Sequence, residues 1–171
     1  MTGNITCPYC SSLTLRMTGR ELHPSRSELI NKHYHVCRAC DAWAVCTDGT
    51  WEPIGPLANP ELRRARQEAH AALERIWDNA MRENDWSKSK ARNLTYIWMS
   101  DEMSIDQKDL QIGRFDLPRC NLLLLIEKHR TPDLASISPE RARAAARSKF
   151  GRKFSKPWQR DAATRKRRRV G

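Results

Sequence analysis

Four cysteines fall in two Cys-x-x-Cys pairs, Cys7/Cys10 and Cys37/Cys40, with 26 residues between them. One such turn presents two thiolates from a tight loop, and two turns complete a tetrahedron of soft ligands at about 2.3 Å from a zinc ion. With four thiolates the coordination shell is closed, so the ion has no open position for a reacting water and acts structurally. One structural zinc per chain, held by Cys7, Cys10, Cys37 and Cys40, is therefore expected. Cys46 and Cys120 stand apart from any pair and are expected as small core residues. His33 and His35 alternate on one strand beside Cys37. Because four cysteines already fill the shell, these histidines are expected either at the strand surface or behind the ligands.

The compartment bears on this reading. The longest apolar run, Leu122 to Ile126, is far shorter than the roughly 18 residues of a membrane helix. No basic segment followed by an apolar one stands at the N-terminus, so a cytoplasmic protein without a membrane anchor is expected. In a reducing compartment, paired cysteines are metal ligands more often than disulfides.

The elements that must position the thiols follow from pattern. Leu13 to Thr18 alternates apolar and polar side chains, as a half-buried strand does. Arg20 to Lys32 is polar and contains Pro24, which predicts a loop. His33–Cys37 and Ala42–Thr47 predict two further strands, the last closed by the turn signal Asp48-Gly49. The interval between the cysteine pairs is long for a treble-clef finger and comfortable for a ribbon, in which a strand, a loop and a second strand separate the knuckles.

Pro53, Pro56 and Pro60 then punctuate a linker. Asn59 is a good N-cap, Pro60 suits the first helical position, and Leu62, Ala65, Ala69, Ala72, Leu73, Ile76 and Trp77 recur at helical spacing to about Arg82. Ser87 predicts the cap of a second helix to Met103, and Leu117 or Pro118 to His129 a third. Ser138 predicts the cap of a short helix from Pro139 to about Lys149. The expected fold is α+β: a four-cysteine β zinc ribbon over residues 1–56, a helical domain of three to four helices over 57–130, and a basic helix and tail over 131–171. The 39% hydrophobic content allows a real but small core, and a module of about 50 residues needs metal to supplement it.

The cysteine pairs, Trp51 to Glu68, Ser87-Lys88-Ser89-Lys90-Ala91-Arg92, and Ile112-Gly113-Arg114-Phe115-Asp116 followed by Cys120 together resemble a family of small phage and prophage proteins with a zinc-finger-containing domain of unknown function. The resemblance runs over roughly residues 5–128 and implies a zinc ribbon fused to a small helical unit in a bacterial or phage setting. It implies no reaction. The family favours His where this chain has Gln111, which weakens any metal or proton-shuttle role at that position.

Nothing in the helical part marks an enzyme. A nuclease needs clustered carboxylates or a His-Asn-His pattern to hold Mg²⁺, whereas Asp116 and Glu127 are scattered and His70 sits among alanines. His70 is expected as a packed helix histidine, and Trp77 and Trp98 as core.

The charge is segregated. Of a net +11, residues 131–171 carry 13 Lys/Arg against three Asp/Glu, and the rest of the chain is nearly balanced. Lys149, Arg152, Lys153, Lys156, Arg160, Arg165, Lys166, Arg167, Arg168 and Arg169 are interleaved with Phe150, Phe154 and Trp158. Guanidinium groups pair with phosphate and aromatic rings stack on bases, so these basic residues and Trp158 are the expected nucleic-acid contacts. The expected function is non-enzymatic association with DNA or RNA, or with a nucleoprotein complex such as RNA polymerase or a ribosome, with no small-molecule substrate. The alternative is a phage-encoded inhibitor or regulator that binds a host or defence protein.

Overall fold

The computed structural model describes residues 4–147, so the basic residues from Lys149 to Arg169 and the aromatic Trp158 among them lie outside the described residues. The fold is α+β, a small three-stranded antiparallel sheet followed by four longer helices. Strands β1 (Leu15–Thr18), β2 (His33–Cys37) and β3 (Ala42–Val45) lie in the order β1-β2-β3. Leu15 faces Val36, and Val36 in turn faces Trp43, so the central strand alternates residues between two covered faces. β1 and β3 are shorter than their alternation predicts. Leu13 instead bridges to Thr6, and Cys46 to Pro53.

The predicted loop after β1 is partly helical. Helix α1 (Gly19–Leu22) and a 3-10 turn at Ser27–Leu29 occupy it. The Glu21 carboxylate accepts hydrogen bonds from both the backbone N–H and the hydroxyl of Thr18, at 2.7 and 2.8 Å, which caps the turn. The excursion is pinched at its base: the Gly19 N–H donates to Lys32 O at 2.7 Å. A Cβ on Gly19 would lie 1.7 Å from the Leu29 carbonyl oxygen, so only glycine fits there.

Helices α2 (Pro60–Asn84), α3 (Lys88–Glu102), α4 (Leu117–His129) and α5 (Pro139–Arg147) follow. Their starts are capped by side chains. Asn59 Oδ1 accepts from the Leu62 N–H, Ser87 Oγ from Lys90, Asp116 Oδ1 from Arg119 and Ser138 Oγ from Arg141.

The chain forms two compact units. Among the described residues, one holds the chain up to His70 together with Gln111–Asn121, and the other holds Ala71–Leu110 with the described residues from Leu122 on. Contacts of the linker and of α2 draw Gln111–Asn121 into the first unit. Arg66 donates from Nε and Nη2 to the Phe115 carbonyl at 2.9 and 2.7 Å, which binds the first turns of α2 to Gln111–Asn121. A Cβ on Gly55 would meet Gly113 O at 3.1 Å, so the linker packs against the same segment.

In the helical unit, every residue from Leu94 to Ser100 of α3 is buried, so this stretch is surrounded rather than amphipathic. Thr95 and Ser100 satisfy their hydroxyls on carbonyls of their own helix, Ala91 O and Ile97 O. Trp77 and Trp98 are buried, and Trp77 stacks on Tyr96. His70 differs from expectation. It is exposed, because it falls one position off the stripe Leu62, Ala65, Ala69, Leu73 that turns inward.

Candidate metal centre

Each cysteine pair sits in a tight knuckle. In the first, the Cys7 N–H donates to Ser12 O at 2.8 Å and the Ser11 N–H to Cys7 O at 2.9 Å. In the second, the Asp41 N–H donates to Arg38 O at 3.3 Å. The residue after each second cysteine is left-handed, with φ of 59° at Ser11 and 45° at Asp41. This turn aims both thiols of a pair to one side.

The four sulfurs of Cys7, Cys10, Cys37 and Cys40 all lie within 4.8 Å of one another, and Cys10 Sγ is 3.5 Å from Cys37 Sγ. A tetrahedral zinc with Zn–S near 2.3 Å requires sulfurs roughly 3.8 Å apart, so the donor set fits one zinc ion in number, chemistry and span. The zinc would be held by these four thiolates and would supply cross-linking of the two knuckles. Cys7 and Cys37 are buried with Ala42, Ala44 and Leu57, while Cys10 is exposed and Cys40 half-exposed. The ion would thus lie at the edge of this small core.

The metal-free thiols share protons unequally. The Ser12 hydroxyl and backbone hydrogen-bond to Cys10 and, helped by the Cys40 and Cys37 thiols, lower its pKa to about 6. Cys40 donates to that sulfur and is also desolvated, and its own pKa is pushed up to about 12. At Cys37 a hydrogen bond from the Cys40 backbone pulls downward, but burial and the Cys10 and Cys7 thiols outweigh it. Zinc binding would therefore displace protons from Cys37 and Cys40, the two thiols whose pKa is raised.

The linker and α2 brace both knuckles. The Tyr9 hydroxyl of the first donates to Leu57 O at 3.1 Å. At the second, Arg63 Nη2 meets Asp41 Oδ2 at 2.6 Å, and Nη1 donates to Asp41 O at 2.5 Å and Ala58 O at 2.8 Å. The Arg63 guanidinium also lies over the Trp43 ring. Strand β3 exchanges two backbone hydrogen bonds with Ala58. Sequence reading missed Tyr9 and Arg63; a Tyr inside Cys-x-x-Cys was visible, whereas the reach of Arg63 across 22 residues was not.

The histidines point elsewhere. His35 is fully buried; its Nε2–H donates to Trp51 O at 2.9 Å and its Nδ1 lies 3.0 Å from Thr14 Oγ1. His33 stacks on Trp51. Cys46 and Cys120 are buried outside the cluster, and burial raises the pKa of both thiols.

A small antiparallel sheet presenting four convergent thiols from two knuckles defines a zinc-finger protein. The chain belongs to a family described as a zinc-finger-containing domain, which matches residues 3–130. No curated protein and no solved structure matches the chain. Among the described residues no helix is long and apolar enough to cross a membrane.

Proposed function

We propose that this zinc-finger protein is a non-enzymatic, nucleic-acid-associated protein of a bacterial or phage system. In this reading the zinc-held unit is a rigid plate and the basic C-terminal segment grips DNA or RNA, alone or within a nucleoprotein machine. The observation that carries the reading is the charge segregation: 13 Lys/Arg against three Asp/Glu after residue 130, interleaved with aromatics. A closed four-thiol site that offers zinc no reactive position agrees with a structural metal.

Removing residues 148–171 leaves α5 in place and takes away ten of those cations. If five to eight of the segment's cations meet phosphates on duplex DNA, the full chain should show a slope of log K against log salt of roughly −4 to −7. The shortened chain should fall to about −1 to −2. Equal affinity and equal slope for the two chains would refute the reading.

A second reading is favoured by a different observation. Leu13 and Leu15 lie on one face of the first strand region and are 67% and 48% exposed. Such a surface suits a protein contact, as a phage-encoded inhibitor or regulator of a host enzyme would need. Pull-down from host cells with Leu13→Ser/Leu15→Ser as the control separates it from the first.

A further inference from the structure

The helical unit carries an open trough of about 430 Å³ between the start of α3 and α5. Trp86 forms one wall, Leu94, Leu134 and Ile137 form the floor, and Lys90 and Arg143 stand at the rim. Leu94 and Leu134 are buried, so the floor is packed, while both cations are exposed. The walls are fixed to each other: Asn93 Nδ2 donates to Ala142 O at 2.9 Å, and Arg141 pairs with Asp101.

The rim charge is poorly neutralised. The first turn of α3 holds Lys88 and Lys90 and no carboxylate. Lys90 Nζ lies over the Trp86 ring, 4.1 Å from its centroid, a cation–π contact that an incoming base would displace, freeing the ammonium for a phosphate. Arg143 has a 3.4 Å contact with Glu140, both side chains mostly exposed, a geometry worth little in water. The segment that follows α5 adds ten more Lys/Arg and one Asp. That segment is itself a poor occupant despite Phe150, Phe154 and Trp158, because its cations would face Lys90 and Arg143. The exposed rim cations favour an anionic occupant. The trough is partly open to solvent, which suits a flat ring laid on an indole beside aliphatic side chains, with phosphates outside it.

We infer that this trough seats an unpaired base of a single-stranded nucleic acid, with Trp86 as the stacking face and Lys90 and Arg143 on the flanking phosphates. The inference rests on the reading that the chain associates with nucleic acid, and adds to it a site in the folded unit that prefers unpaired strands.

The test uses the full chain, fluorescent oligo(dT), and a duplex of the same length, read by anisotropy. Trp86→Ala should weaken oligo(dT) binding by roughly 5- to 100-fold and duplex binding by no more than about twofold. Trp86→Phe, which keeps a stacking face, should recover most of the loss. Lys90→Ala/Arg143→Ala removes only exposed cations, so the fold is preserved, and should also weaken oligo(dT) selectively. If the full chain binds oligo(dT) and these variants bind it equally well, the trough assignment is wrong while the tail reading stands. If the full chain binds neither probe, both readings fail. An acidic leucine-bearing peptide whose binding is lost in Trp86→Ala while oligo(dT) binding is not would assign the trough to a protein partner and overturn the inference.

Discussion

The two compact units bury different chemistry. In the metal-bearing unit the largest fully buried side chains are Phe115, His35, Thr14, Cys7, Cys46 and Cys120. In the helical unit they are Leu73, Ile97, Met99, Leu110, Leu123 and Thr95. The first set is largely small, polar or sulfur-bearing, and burial of such groups returns little hydrophobic free energy. The second is a hydrocarbon core. A unit with so small a hydrocarbon core beside its cysteines gains from a cross-link that holds its knuckles together, and four convergent thiols provide one once zinc binds. The helical unit needs none.

Paired substitutions should split the two along this line. Cys37→Ser should abolish zinc binding and unfold the metal-bearing unit, since structural zinc contributes about 10–16 kcal/mol in small fingers. Hydrogen exchange should show loss of protection in β1–β3 with protection retained in α3. Leu73→Ala should do the reverse, costing about 2–5 kcal/mol in the helical unit while zinc content, read by atomic emission, stays at one per chain. Cys46→Ser is the control that keeps its metal. If Cys46→Ser loses zinc and Cys37→Ser keeps it, the ligand set is wrong.

What could be read from the sequence was what is local. The Cys-x-x-Cys spacing places ligands within single turns, and the caps Asn59, Ser87 and Ser138 act within three residues of themselves. Thr18-x-x-Glu21 was equally local and was passed over in a polar stretch. The unit boundary was not legible, because it depends on Arg66 reaching Phe115 and on Tyr9 and Arg63 reaching the linker and knuckles. A long polar side chain carries no mark of its distant partner. Of the segments that carry the family resemblance, Trp51 to Glu68 and Ile112 to Cys120 lie in the metal-bearing unit, where Ile112 and Phe115 are buried, and Ser87 to Arg92 lies in the helical unit.

Acid should separate the units less completely than a lost ligand. Zinc binds thiolates, so protons compete with it. Cys10, lowered to about 6, is mostly ionised at neutral pH, whereas Cys40, raised to about 12, and Cys37, also raised, keep their protons until metal displaces them. Affinity must therefore rise with pH. Log K should climb by at least about two per pH unit above pH 6, and more steeply below it, where Cys10 also holds a proton. Competition titration with a chelator between pH 5 and 8 measures this. A pH-independent affinity would mean that the thiols are not the ligands. Far-UV circular dichroism at pH 5 should lose the sheet contribution before the helical one.

The finest distinction lies inside the metal-bearing unit, between its two knuckles. Ser11 and Asp41 occupy equivalent places, each directly after the second cysteine and each left-handed. A left-handed L-residue costs roughly 1–2 kcal/mol, and glycine removes that cost while adding about 0.5–1 kcal/mol of unfolded-chain entropy. Backbone strain alone predicts the same small gain at both positions. The side chains predict otherwise. Asp41 holds Arg63 through its carboxylate at 2.6 Å, whereas the Ser11 hydroxyl makes no hydrogen bond to another of the described residues. Ser11→Gly should therefore stabilise the zinc-loaded unit by up to about 1 kcal/mol. Asp41→Gly should destabilise it by about 1 kcal/mol, because a partly buried guanidinium loses its charged partner. Denaturant midpoints of the loaded protein decide the matter. Equal gains at both positions would show that Arg63 does not brace the second knuckle through Asp41.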